Sequence, residues 1–190
     1  MKPVYLLIVI VCMTAGRTAA QKNKPGYFVE SKLTMLNGDN AISSQILLSG
    51  GIQLSRWDLG LGAGIDFYQV RTVPLILKGQ YHLGKSKKWT IWSNAGLNIA
   101  WATDKQFDDP AWIWGVTRQH FNNGWIGEGG VNYTLVRQQN TDLFIGAGYS
   151  VKTINDQYDE LIYFSGSSKV ITRNIDYKFS RLSLYFGVRF

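Results

Sequence analysis

Cysteine is almost missing from this chain, and its single copy, Cys12, sits inside an N-terminal apolar run. That run, Val4 to Met13, follows Lys2 and precedes the small residues Thr18-Ala-Ala20, the pattern of an export signal. Cleavage is expected after Ala20, making residues 1–20 a signal peptide and residues 21–190 the folded domain. Val11 precedes Cys12 and the apolar run continues past it, so lipid attachment there is not expected. The exported part then lacks thiols, which excludes disulfides and thiolate metal sites. Its stability has to come from another source.

Other shortages narrow the choice further. Beyond the signal, no run approaches the ~18 consecutive apolar residues of a spanning helix. Proline is scarce, with 4 residues against 20 glycines, a mix suited to tightly packed strands. The 20 basic residues, less Lys2 and Arg17, still exceed the 13 acidic ones, but they are scattered. No basic stripe with interleaved aromatics appears, so nucleic acid is not an expected partner. Only two histidines are present, which limits acid–base and metal chemistry.

What the chain has in quantity is alternation with period two. The final stretch shows it best. Leu182, Leu184, Phe186, Val188 and Phe190 share one face, and Arg181, Ser183, Tyr185, Gly187 and Arg189 share the other. Eight such segments are expected: 27–36, 41–55, 57–70, 73–83, 89–101, 125–137, 142–152 and 177–190. Leu47 breaks the pattern of the second, which suggests a bulge near Gly50-Gly51. The connections after the second, fourth and sixth segments are short. Residues 102–124 and 153–176 form long connections at the opposite end. Trp57, Tyr81, Trp89 and Phe190 fall near one end of the strands, and Phe67, Trp101 and Trp125 near the other, all on the apolar face. Paired aromatic girdles and loops sorted by length belong to transmembrane barrels. The expected fold is therefore all-β: an eight-stranded antiparallel transmembrane barrel of up-and-down topology. A secreted soluble lipid-binding barrel is the architectural alternative.

In that reading the polar face lines the lumen. It carries Glu30, Lys32, Asp66, Lys78, Glu128, Arg181 and Arg189 as an ion-pair network, with Arg181 and Arg189 expected to meet Glu30, Asp66 or Glu128. Glycines 60, 62, 64, 146 and 148 leave space for Tyr68, Trp92, Phe144 and Tyr185, so no large pore is expected.

Four stretches carry a family resemblance: Gly60-Leu-Gly-Ala-Gly-Ile-Asp-Phe-Tyr68, Val73-Pro-Leu75, Gly146-Ala-Gly-Tyr149 and Leu184-Tyr-Phe-Gly-Val-Arg-Phe190. With them the chain resembles the small outer-membrane β-barrel, or porin-like, proteins of Gram-negative bacteria, especially those of Bacteroidota. The resemblance implies a cell outer membrane location with both termini periplasmic. It implies lipids and lipopolysaccharide as surroundings, and periplasmic chaperones and barrel-assembly machinery during biogenesis. Phe190 looks like the terminal assembly signal. Fold alone transfers no activity.

Catalytic chemistry finds little support. His82 falls at the periplasmic end of its strand. His120 lies in a long connection near Asp108, Asp109 and Arg118, with no nucleophile fixed beside it. Asp156-Gln-Tyr-Asp-Glu160 lacks calcium-loop spacing. No cofactor or metal is expected, and a monomer is. The remaining candidates are Trp112, Trp114, Arg118, His120, Tyr163 and Phe164, apolar or charged groups in the two long connections. They would extend strands, pack the connections together or form a contact surface. A structural or surface-contact role is the expected function. A lipid A-modifying enzyme and a narrow channel are the alternatives.

Overall fold

The computed structural model describes residues 25–38, 41–101, 116–139, 141–164 and 167–190. The signal segment therefore lies outside the described residues. Nine strands form one antiparallel sheet. They are β1 (Gly26–Gly38), β2 (Ile42–Leu54), β3 (Trp57–Asp66), β4 (Thr72–Leu83), β5 (Trp89–Ala100), β6 (Val116–Asn122), β7 (Gly124–Gln138), β8 (Thr141–Phe164) and β9 (Ser167–Arg189). The sheet closes in a ring because β9 pairs with both β8 and β1. Val29 and Phe190 exchange backbone hydrogen bonds at the seam. Closure leaves no free edge along that part of the sheet.

Around the ring the alternation sorts side chains by polarity. Tyr27, Val29, Leu33 and Met35 of β1 point outward, while Glu30, Lys32 and Thr34 are buried within. The other walls behave alike: Leu59 and Leu61 lie outside against Asp58 within, and Leu182 and Leu184 outside against Arg181 and Ser183 within. An apolar exterior around a polar interior reverses a water-soluble barrel and matches one that faces lipid. Trp57 and Trp89 ring the end where the described chain begins and ends, each against a tyrosine: Trp57–Tyr81 at 4.7 Å and Trp89–Tyr133 at 4.9 Å between ring centroids. Phe67, Trp101 and Trp125 are exposed toward the opposite end.

Several expectations need correction. The register runs unbroken through Gly50-Gly51, so β2 has no bulge there. Leu47 points inward because it packs on Ile76 and Ile126. Irregularities fall instead between Thr134 and Val136 of β7 and between Val116 and Arg118 of β6. The third strand stops at Asp66. Gln69, at φ 55°, turns the chain and drives Tyr68 and Val70 into the barrel mouth.

The largest correction concerns the two long connections. Residues 153–176 are not a loop: β8 and β9 are 24 and 23 residues long and pair without interruption up to Phe164↔Ser167. Part of 102–124 is also strand, since β6 lies along β8 in line with β7. Above the barrel a three-stranded sheet, β6–β8–β9, therefore continues. Its polarity is inverted. Thr153, Asn155, Gln157 and Asp159 of β8 continue the outward row below them, which reads Ile145, Ala147, Tyr149 and Val151. On β9, Thr172, Asn174, Asp176 and Lys178 continue the row of Leu182, Leu184 and Phe186. The inward row becomes mixed, with Ile154, Ile175, Tyr177 and Phe179 beside the buried Asp156 and the ion-paired Glu160 and Arg173. The change falls at the pair Val151↔Ser180 on both strands. Apolar-out below and polar-out above is what a strand pair crossing from lipid into water requires.

Candidate functional site

Buried polar and aromatic side chains line the barrel interior from mouth to base. At the mouth, Asp66 accepts from Arg181 at 2.6 Å and lies 3.4 Å from Lys152. Lys152 also donates to the carbonyl oxygens of Tyr68 (3.0 Å) and Val70 (2.7 Å), pinning the β3–β4 turn inside. The Asp66 carboxylate accepts from the Tyr68 backbone N–H at 2.8 Å, an Asx-type turn that starts this inward fold. One carboxylate thus holds two cations and a turn, with all three charged side chains shielded from solvent.

Below it, Glu128 accepts from Gln45 (3.0 Å) and Asn94 (2.9 Å) and faces Lys32 at 3.7 Å. Glu30 pairs with Lys78 and accepts from Gln80 at 3.1 Å. An aromatic layer crosses the lumen beside these groups. The Trp92 indole N–H donates to the Tyr185 hydroxyl, which in turn bonds Asn132. Phe144 stands edge-on to Tyr185, and the Lys32 ammonium lies 4.1 Å from the Trp92 ring. Glycine is required opposite this layer. A Cβ at Gly146 would lie 2.5 Å from the Tyr185 ring, and one at Gly187 would run into Phe144. At the base, Asp58 accepts from Arg189 at 2.5 Å and contacts His82 at 2.7 Å, whose other ring nitrogen meets Thr90 at 2.9 Å.

The geometry brings six of the seven charged lumen residues named from sequence into three clusters: Asp66 with Arg181, Glu128 with Lys32, and Glu30 with Lys78. Arg189 goes elsewhere, to Asp58, which was not among its expected partners. Glu30 is already engaged by Lys78, and Arg189, beside Glu30 across the β1–β9 seam, reaches over the lumen instead. Asp58, His82 and Lys152 join these clusters although the expected ion-pair network did not include them. Their signal was available, since each shares its strand's polar face.

The contact candidates scatter. Trp112 and Trp114 lie outside the described residues. The Arg118 backbone pairs with Asp159, and Tyr163 and Phe164 pair with Ser168 and Ser167 near the tip of the hairpin. His120 is exposed and pairs with Gln157, a member of the polar outward row. That row is laced by Asn122 to Asn155 (2.9 Å), Asn155 to Asp176 (2.8 Å) and Thr172 to Asp159 (2.7 Å). Among the described residues no group of three or more histidine, aspartate or glutamate side chains could hold a metal.

No family model matches the chain, and no curated protein does. Solved structures do. The chain is similar to the crystal structure of the outer membrane protein OprG from Pseudomonas aeruginosa, with a TM-score of 0.56 and 16% identity, over 90% of this chain and 98% of that one. It is also similar to the solid-state NMR structure of the outer membrane protein AlkL in DMPC lipid bilayers, with a TM-score of 0.50 and 12% identity, over 87% and 89% of the two chains. At these identities the similarity is one of fold: an antiparallel sheet closed into a barrel of the kind outer membrane proteins use.

Proposed function

We propose that this chain is an integral outer-membrane barrel of eight staves in up-and-down order, of the Bacteroidota type, with both termini periplasmic. In this reading β6 and β7 make one stave interrupted at Asn123, and the molecule acts through the part that stands above the membrane, as a surface-contact or envelope-structural protein without a large pore. The observation that carries the reading is the inversion of polarity along β8 and β9. A hairpin whose outward row is apolar up to Val151 and polar over the next four outward positions of each strand is built to project from lipid into water. About a dozen further residue pairs at ~3.4 Å each give it a reach of roughly 40 Å along the strands. The packed lumen supports the absence of a pore, since Trp92, Phe144 and Tyr185 occupy its centre.

Removing the outer region tests this. A chain lacking 102–115 and 155–176 should still reach the outer membrane and show heat-modifiable gel mobility. It should lose cell adhesion, partner capture or envelope integrity. Retention of all three would end the surface-contact reading. Unchanged lipid A in a His120→Ala strain is expected, and altered lipid A would favour the enzyme.

A further inference from the structure

The ring closes only as far as β1 reaches. The β1–β9 pairing runs from Glu30↔Arg189 to Gly38↔Arg181 and stops there. Above it, β9 from Ser167 to Ser180 has β8 on one side and, among the described residues, no strand on the other. Because Phe190 exchanges both backbone bonds with Val29 on the β1 side, the alternation of an antiparallel ladder fixes which residues face that side. They are the even-numbered ones: Val170, Thr172, Asn174, Asp176 and Lys178. Each presents an N–H and a C=O to the free edge.

Natural sheets blunt such edges with proline, bulges or charge. This segment has no proline, and its pairing with β8 has no register shift. Its charges are unevenly engaged. Arg173 is paired with Glu160 at 2.6 Å and Asp176 accepts from Asn155, whereas Lys169 and Lys178 have no ion pair among the described residues and stand exposed. The edge is therefore long and without a bulge, and its unpaired charges are the two lysines, Lys178 on the outward face and Lys169 on the inward one.

The geometry points to a β-augmentation site: the outer edge of β9 takes an extended, acidic segment of a partner protein as a further strand, by main-chain hydrogen bonds, with Lys178 on the outward face and Lys169 on the inward face each selecting for a carboxylate. A second copy is the poorer occupant. Copies in one membrane run β9 in the same direction and bring lysines toward lysines, so an antiparallel ladder between them is not open. This inference rests on the surface-contact reading and names the partner's chemistry.

The test uses the full chain in lipid nanodiscs and a short fluorescent peptide of valine with glutamates placed on both faces of the extended strand, with the same peptide carrying lysine in place of glutamate as control. The glutamate peptide should bind, and should protect the amides of residues 170, 172, 174, 176 and 178 from hydrogen exchange. Val170→Pro with Asn174→Pro removes two edge donors while leaving the bonds to β8 in place, and should weaken binding at least about tenfold. Gel mobility should be unchanged, as edge positions tolerate proline. Lys169→Glu with Lys178→Glu should reverse the preference between the two peptides. Equal binding by the proline variant, protection confined to other residues, equal binding of both peptides, or self-association of the chain in place of peptide binding would each overturn the proposal. If deletion of the outer region abolishes adhesion but the proline pair does not, only the edge fails; if neither does, the surface-contact reading fails with it.

Discussion

Asp66 shows how a single residue can hold the barrel mouth together. Arg181, Lys152 and the Tyr68 amide all converge on it, in a site with no solvent to replace a lost partner. Asp66→Ala strands two buried cations, a loss of about 3–5 kcal/mol by analogy with other broken buried pairs. The midpoint of urea unfolding in vesicles should fall accordingly, and Asp66→Asn, which keeps the hydrogen-bond acceptor, should fall less. Equal losses would mean that packing, not charge, is what Asp66 supplies. Gly146 makes the complementary case. Any side chain there meets the Tyr185 ring, so Gly146→Ala should cost about 1–3 kcal/mol. Tyr185→Phe beside it should not relieve the clash, because the ring remains. The residue scale is also where sequence reading reached its limit. Alternation tells which face Arg189 is on, but not that it meets Asp58 across the lumen. That depends on the stagger between distant strands, which no local pattern encodes.

At the scale of elements, the walls of the barrel were legible because one face must satisfy lipid along the whole strand. The outer sheet was not, because alternation there changes sense. Thr153, Asn155, Gln157 and Asp159 of β8 and Thr172, Asn174, Asp176 and Lys178 of β9 stand where the barrel has apolar residues, so a search for a continuous apolar face ends at Val151. The same inversion supplies a measurement. Leu184→Arg places a charge on the outward face within the ring and should cost about 2–4 kcal/mol, as such charges do near a bilayer midplane. Asn174→Arg, on the same face of the same strand but above the inversion, should cost little. Urea unfolding in vesicles compares the two. Similar costs would place the boundary elsewhere than at the Val151↔Ser180 pair. Phe190 belongs to this scale too, as the residue that closes the ring against Val29. Its deletion should lower the amount of barrel inserted, and normal outer-membrane levels of a chain ending at Arg189 would remove the assembly role expected of it.

For the whole molecule, the interior and the outer sheet are one construction. The ion-pair clusters and the aromatic layer fill the lumen, Tyr68 folds over the mouth, and its ring meets Phe179 edge-on at 5.8 Å between centroids. Phe179 stacks in turn with Tyr177 on the inward face of the hairpin. The plug of the barrel is thus the footing of the sheet that projects from it. A pore and a projecting sheet then make opposing demands: opening the mouth means withdrawing Tyr68 and unseating the hairpin. Purified protein in planar bilayers should accordingly show no conductance of porin size. Trp92→Ala with Tyr185→Ala removes the central layer yet leaves the Asp66–Lys152 clamp closed, so conductance should stay low. Adding Lys152→Ala releases the β3–β4 turn and should raise it, with accelerated hydrogen exchange at residues 171–179 as the footing loosens. Large conductance from the unaltered chain, or conductance in the triple variant with no change in hairpin exchange, would show that the mouth and the projecting sheet are not coupled in this way.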